Sequence, residues 1–271
     1  MVNNKQLTIR FHVDDVLASH MEQQVLEDFF TWVNDRYGGL KEMTCTRGQV
    51  HTYLGMTLDF SKKGKMKICM DDYMDCMLSE FPVKFKDNEI QETPAGNNLL
   101  EKGKGAPLEK ERREVFNWFV AKSLFLSTIS PTVSILASSV QSPNLSDWQK
   151  LVGLMRYIHS TKGWHLTLSA DDLHVIKWYV DAPFAVHPDF KSHTGAVMTM
   201  GTGAVQAITQ KQKLNCDSIT HAELIGVHDA MSNILWTRLF MEEQGYPIEH
   251  VLFHHRMKNV PSSTNHSLLC R

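Results

Sequence analysis

Hydrophobic and polar positions alternate over residues 6–18 (QLTIRFHVDDVLA). Leu7, Ile9 and Phe11 fall on one face, two aspartates interrupt, and Val16 and Leu17 resume. Two-residue periodicity on both sides of an acidic break predicts two short strands around a turn. The period then lengthens. Val25, Phe29, Trp32 and Val33 recur at helical spacing over 22–37, and Gly38-Gly39 ends the run. Strands are predicted over 50–60 and 65–70, joined by a turn at Lys62-Lys63-Gly64, and a short helix over 73–81 is stopped by Pro82.

Residues 84–110 (including ETPAGNNLLEKGKGAPLEK) are charged and rich in Gly, Asn and Pro, which marks a linker. Helices are predicted over 111–127 (Val115, Trp118, Phe119, Leu126), 131–141 and 147–160. The last has Asp147 as a candidate N-cap and Leu151, Leu154, Met155 and Ile158 as its buried face. Strand alternation returns over 174–186, 194–200 and 204–210, followed by a long helix over 218–244 and a short strand over 251–253. Residues 174–253 therefore read β-β-β-α-β. The final 18 residues, HHRMKNVPSSTNHSLLCR, carry no pattern and are expected to be loose. No internal repeat is visible.

Composition changes this picture little. The chain has 271 residues and a formal net charge of −2, long enough for a substantial core and less basic than a free-standing nucleic-acid binder. Five cysteines, none in a C-x-x-C pair, fit reduced thiols of an intracellular protein. The first residues form no apolar leader, and no run approaches the roughly 20 apolar residues of a membrane span, so no membrane partner is expected.

Three segments carry candidate chemistry. Phe11-His12-Val13-Asp14-Asp15 sets two carboxylates at a hairpin tip, where hard oxygen donors suit Mg²⁺ held against phosphates. An Asp-Asp pair is equally ordinary turn chemistry. About forty residues on, Tyr53-Leu54-Gly55-Met56 falls inside a predicted strand. In the last third, Trp178-Tyr179-Val180-Asp181-Ala182 ends a strand with a carboxylate. Ser192-His193-Thr194-Gly195 opens the next strand, Gln210-Lys211-Gln212 closes a third, and Ser218-Ile219-Thr220-His221-Ala222-Glu223-Leu224 opens the long helix. Asp181 also reads as a plain strand-end turn residue, and Thr220-x-x-Glu223 as a capping box.

In this order the segments resemble copia-type retrotransposon polymerases, from about residue 5 to 253. The resemblance implies an α+β or α/β fold in four parts. A palm remnant with the acidic hairpin covers 1–83, a linker 84–110, a helical thumb and connection 111–170, and an RNase H-like β-β-β-α-β domain 171–253 that lacks its C-terminal elements. Residues 254–271 would be a divergent, disordered tail. Asp14 and Asp15 would be polymerase metal ligands, and Tyr53, Leu54, Gly55 and Met56 would grip the primer end. Asp181 and Glu223 would be RNase H ligands for Mg²⁺, acting on an RNA–DNA hybrid or template-primer. The rest of a polyprotein would be the remaining partner.

The sequence departs from that pattern. The family places a carboxylate directly after the strand at 251–253, where His254-His255 stand, and no Asp follows Phe253. The tail reads like a shifted frame or a decayed copy. Another palm aspartate and the nucleotide pocket are missing from the polymerase half. Each metal cluster is thus incomplete, and Mg²⁺ gives up its water reluctantly, so no polymerase activity and little RNase H activity are expected. Two other readings stand beside this one. The first is a competent RNase H-like nuclease, completed by another chain or by Asp189 or Asp229, although Asp229 is about 240° around the helix from Glu223. The second is a non-enzymatic nucleic-acid or protein binding module.

Trp32, Trp118 and Trp236 sit at helical apolar spacing, which favours core packing over base stacking. Lys62, Lys63, Lys65 and Lys67 suit either a nucleic-acid backbone or a hairpin edge guarded against strand pairing.

Overall fold

The computed structural model describes residues 1–39, 41–96, 98–101, 103, 105–126, 130–255 and 267–270. The elements run β1 (Thr8–His12), β2 (Asp15–Ser19), α1 (Gln23–Tyr37), β3 (Val50–Tyr53), β4 (Met56–Asp59), β5 (Met66–Cys69), α2 (Asp71–Glu80), α3 (Lys110–Ser123), α4 (Ser130–Ala137) and α5 (Leu145–Thr161). They continue β6 (Leu166–Ala170), β7 (Val175–Asp181), β8 (His193–Thr199), β9 (Gly201–Thr202), β10 (Gln206–Lys211), α6 (Ile219–Glu243), β11 (His250–His255) and β12 (Ser267–Cys270). The fold is mixed α and β, with three sheets.

The first sheet is the β1–β2 hairpin alone. His12 faces Asp15, so Val13-Asp14 is a two-residue turn. Val13 has φ 52, in the left-handed region that a β-branched residue rarely enters. The α1 helix follows, and Arg47 clamps Glu27 on it. None of the described residues from 1 to 52 is buried; the first is Tyr53.

The second sheet has the order β3-β4-β5-β6-β9, antiparallel throughout. The single strand expected over 50–60 is in fact a hairpin. Tyr53 pairs with Met56, and Leu54 and Gly55 form its turn at φ 52 and 74. Positive φ at both turn residues matches the twist of paired strands, and Gly at the second position suits it. The YLGM segment therefore straddles a turn. β5 is the middle strand of this sheet, which overturns the edge-guard reading for Lys67; Lys62, Lys63 and Lys65 precede the strand.

Four helices share one core. Met77 and Phe81 from the α2 end pack with Phe116 and Phe119 of α3, Leu136 of α4 and Leu151, Leu154 and Met155 of α5. The 84–110 stretch lies along α5: Gln91 N–H donates to Ser160 Oγ at 3.0 Å, Arg156 pairs with Glu89 at 3.2 Å, and Leu108 is buried. Hydrophobic residues on both sides of that stretch thus belong to a single core. The N-cap of α5 is Asn144, not Asp147. Asn144 Oδ1 accepts from the N–H of Ser146 and Asp147, and the Asp147 carboxylate accepts from Asn144 N–H. Asp147 is the reciprocal partner in a capping box, three residues after the cap and in the first turn. α3 ends at Ser123, and the expected end at 127 lies outside the described residues.

The third sheet has the order β10-β8-β7-β11-β12. Only β7 and β11 are parallel; the other pairs are antiparallel. Alternate residues Ile176, Trp178 and Val180 of β7 turn inward with Ala196 and Met198 of β8. α6 covers that face with Ala230 and Ile234, and α4 packs beside β10. The tail is partly strand: 254–255 continue β11, and 267–270 pair with it as β12. Residues 256–266 lie outside the described residues.

Candidate functional site

The sequence-predicted acids of the third sheet lie on two packed elements, Asp181 at the end of β7 and Glu223 on α6. β7 ends on Asp181, which is exposed and pairs with Gly195 of β8. Ala182, next in the chain, is buried beneath α6. The reason for the close packing is Gly226: a Cβ there would stand 2.9 Å from the Ala182 Cβ. Helix and strand therefore approach more closely than any side chain at 226 permits.

Glu223 lies on the same sheet-facing stripe as Gly226, one turn nearer the helix start. The buried positions Glu223, Gly226, Ala230, Ile234 and Thr237 recur at helical spacing. The Glu223 carboxylate, 7% exposed, lies on the buried stripe of α6, the helix that packs on β7 and β8. The capping-box reading of Glu223 is not what forms. The N-cap is Ser218, whose Oγ accepts from His221 N–H at 3.2 Å, so Glu223 lies beyond the first turn. Asp217 beside the cap accepts from the His221 ring at 2.8 Å, and that hydrogen bond holds the Asp217 carboxyl below the usual carboxylate range.

A buried polar network braces the same corner. Gln212, 1% exposed, donates through Nε2 to Thr194 Oγ1 at 3.0 Å and to the Ala222 carbonyl at 2.8 Å. Thr194 Oγ1 donates to Asp229 Oδ2 at 2.8 Å, and Cys216 Sγ donates to Gln212 Oε1 at 3.1 Å. The network ties the β8 start, the loop after β10 and the first turns of α6 into one unit. Thr194 and Gln212 are visible in the sequence as parts of short motifs, but nothing there signals that they meet.

The two acids weighed as substitutes have other partners. Asp229 accepts from Thr194, and Asp189 pairs with Lys211 at 2.7 Å, which lowers its carboxyl pKa. Parallel pairing sets His254 and His255 beside Tyr179 and Val180. The position where the resemblance calls for a third acid is thus next to the strand end, and histidine occupies it. His254 stacks on Tyr179 at 4.7 Å and 11°. Among the described residues no group of three or more His, Cys, Asp or Glu converges to hold a metal ion. Asp181 and Glu223 alone fall short of the several oxygens that Mg²⁺ takes.

The other acidic candidate is separate. Asp14 sits in the exposed β1–β2 turn and Asp15 opens β2. The hairpin touches the second sheet where the Arg10 guanidinium stands 5.9 Å from the Tyr53 ring centre. That contact brings the acidic hairpin and the YLGM turn into one neighbourhood. Tyr53 is buried and Met56 partly so, while Gly55 is exposed at the turn.

A pair of histidines lies beyond β7. His187 and His193 share a hydrogen bond at 3.0 Å, and His193 Nε2 meets Thr209 Oγ1 at 2.7 Å. Burial, with the neighbouring His187, pushes the His193 pKa down to about 4. Burial also lowers His187.

The tryptophans divide differently from expectation. Trp148 and Trp178 are buried, whereas Trp32, Trp118 and Trp236 are 56%, 58% and 60% exposed. Helical spacing put the last three on apolar faces, but no described element covers those faces.

No protein-family model matches the chain, and no solved structure matches it. Among curated proteins it is similar to the Retrovirus-related Pol polyprotein from transposon TNT 1-94 of Nicotiana tabacum, 24% identical over 254 residues. The match covers 89% of this chain and 18% of that protein, so the chain spans about a fifth of its relative's length. No helix among the described residues is long and apolar enough to cross a membrane. The chain thus resembles a stretch of a retrotransposon Pol polyprotein.

Proposed function

We propose that the chain is a piece of a copia-type retrotransposon polyprotein, the end of a reverse transcriptase joined to an RNase H-like domain. It binds nucleic acid and does not turn it over. In that reading residues 1–83 belong to the palm, 111–170 to the thumb and connection, and 171–253 to the RNase H-like part. The observation that carries it is the third sheet. A strand ending in Asp181 is flanked by an antiparallel neighbour and a parallel one, and the helix packed on that sheet carries Glu223 on its buried stripe. The likeness to a Pol polyprotein and the approach of the Asp14-Asp15 hairpin to the YLGM turn support the same assignment.

Inactivity follows from the donor count. Phosphoester cleavage by two metals needs carboxylates around both ions, and Asp181 and Glu223 supply only part of that set. Incubation of the chain with a labelled RNA–DNA hybrid in Mg²⁺ or Mn²⁺ is expected to leave the RNA strand intact. Robust cleavage abolished by Asp181→Asn would overturn the claim. Restoring an acid with His254→Asp or His255→Asp tests the geometry from the other side: weak cleavage is expected from at least one, and it should depend on Glu223.

A further inference from the structure

We infer that the polar face of the β4–β5–β6 sheet is a path for the phosphodiester backbone of a nucleic acid, contacted by Lys62, Lys65 and Lys67. This rests on the nucleic-acid reading above and adds a site remote from the acids. A groove of about 630 Å³ runs over this face, lined by Ser61, Lys62, Lys65, Lys67, Thr167 and Thr202 together with Asp59. Asp59, Lys67 and Thr167 stand in one row across three strands by register, so their side chains share a face. Met66 and Ile68 flank Lys67 in β5 and take the opposite face by alternation.

Lysine in a sheet has a common explanation, the protection of an exposed edge. It does not apply to Lys67, because β5 is paired on both sides, with β4 and with β6. None of Lys62, Lys63, Lys65 and Lys67 forms an ion pair with a described residue. The single carboxylate in the groove, Asp59, accepts from the Ser61 N–H at 2.8 Å. Three cations thus face one acid in an open groove on a chain whose overall charge is −2. The positive charge is placed locally and is not a product of bulk composition.

The chemistry selects a backbone over a base or a small anion. No aromatic ring lines this groove, so it offers no stacking platform. Lysines are flexible point charges suited to tracking phosphates without fixed geometry. Lys65 and Lys67 are two residues apart, roughly 6.6 Å on an extended chain, so two flexible side chains stand close enough together to reach neighbouring phosphates of one strand. The hydroxyls of Ser61, Thr167 and Thr202 add neutral donors of the kind that accompany phosphate contacts.

The test is equilibrium binding of the full chain to a fluorescent RNA–DNA hybrid across 50–200 mM salt, with single-stranded RNA and duplex DNA as parallel arms. The comparison is between the wild type, K62Q/K65Q/K67Q, K62R/K65R/K67R and a remote control, K110Q. Removing three phosphate contacts should flatten the salt dependence by about 0.9 per lysine, so the affinity ratio between 50 and 200 mM should shrink by about 40-fold. The arginine triple and K110Q should keep the wild-type slope, which separates lost charge from a damaged fold. If the wild type binds and the glutamine triple keeps its slope, the groove assignment is overturned while the nucleic-acid reading survives. If the wild type binds none of the three probes, both fall.

Discussion

The N-terminal hairpin with α1 and the third sheet with α6 are built from similarly patterned sequence and end in opposite states. Ile9, Phe11 and Val16 alternate as cleanly as Ile176, Trp178 and Val180. Yet Phe11 is 76% exposed and Trp178 is fully buried. Trp32 of α1 is 56% exposed at helical apolar spacing, while Ala230 and Ile234 of α6 are buried. The difference is the second layer. α6 lies across β7 and β8 because Gly226 lets it approach, whereas no described element covers the hairpin or α1. An apolar face becomes a core only when something is packed on it.

The sharpest way to break this comparison is to truncate one aromatic in each region. Trp178→Ala should cost about 3–5 kcal/mol by removing a fully buried side chain, whereas Trp32→Ala should stay within about 0.5 kcal/mol. Denaturant titration followed by circular dichroism reads both. Equal losses would mean that α1 is covered after all.

Gly226→Val comes next. Its side chain must displace the Ala182 Cβ, 2.9 Å from where the new Cβ would stand, at a cost of about 1–3 kcal/mol. Gly226→Ala should cost less, because the better helix propensity of Ala offsets up to about 1 kcal/mol of the clash. A stabilised Gly226→Val protein would show that α6 does not sit tightly on β7.

A pH series sharpens the comparison within the third sheet. His193 titrates near 4 in the folded chain, below its ordinary 6.5. Between those values the unfolded chain takes up a proton that the folded chain refuses. The stabilisation is therefore complete above pH 6.5 and lost as pH falls toward 4. The ring is only partly shielded, so the loss is about 1–2 kcal/mol after allowing for solvent screening. Unfolding midpoints at pH 4.5 and 7.5 should differ less in His193→Gln.

The smallest effect concerns the α5 cap. Asn144→Ala removes one acceptor for two N–H groups and should cost about 1 kcal/mol. Asp147→Ala, which removes the reciprocal partner, should cost no more than that. The reverse ranking would restore Asp147 as the cap.

Element types were legible because periodicity reports them directly. The long helix at 218–244, the helices around 111–160 and the β-β-β-α-β run from 174 all lie close to where the alternation put them. Boundaries were less legible. The strand expected over 50–60 folds back at Leu54-Gly55, because a turn with two left-handed residues leaves the flanking alternation unbroken. The Asn144 and Ser218 caps lie a few residues before the positions that spacing favoured, since Asp147 and Thr220 are also good capping types. Asp181 and Glu223 were identifiable as a strand-end acid and an acid near a helix start. The close approach of α6 to the end of β7 depends on Gly226, which does not announce itself as a contact.

Sequence by itself determined the local elements and their hydrophobic faces, because backbone periodicity and turn chemistry act over a few residues. Tertiary structure alone decided which faces are covered, that β5 lies in mid-sheet and leaves Lys67 without an edge to guard, and that β11 brings histidine beside the end of β7. Those outcomes depend on pairing between segments tens to more than a hundred residues apart, and no local pattern encodes which distant strand or helix will arrive.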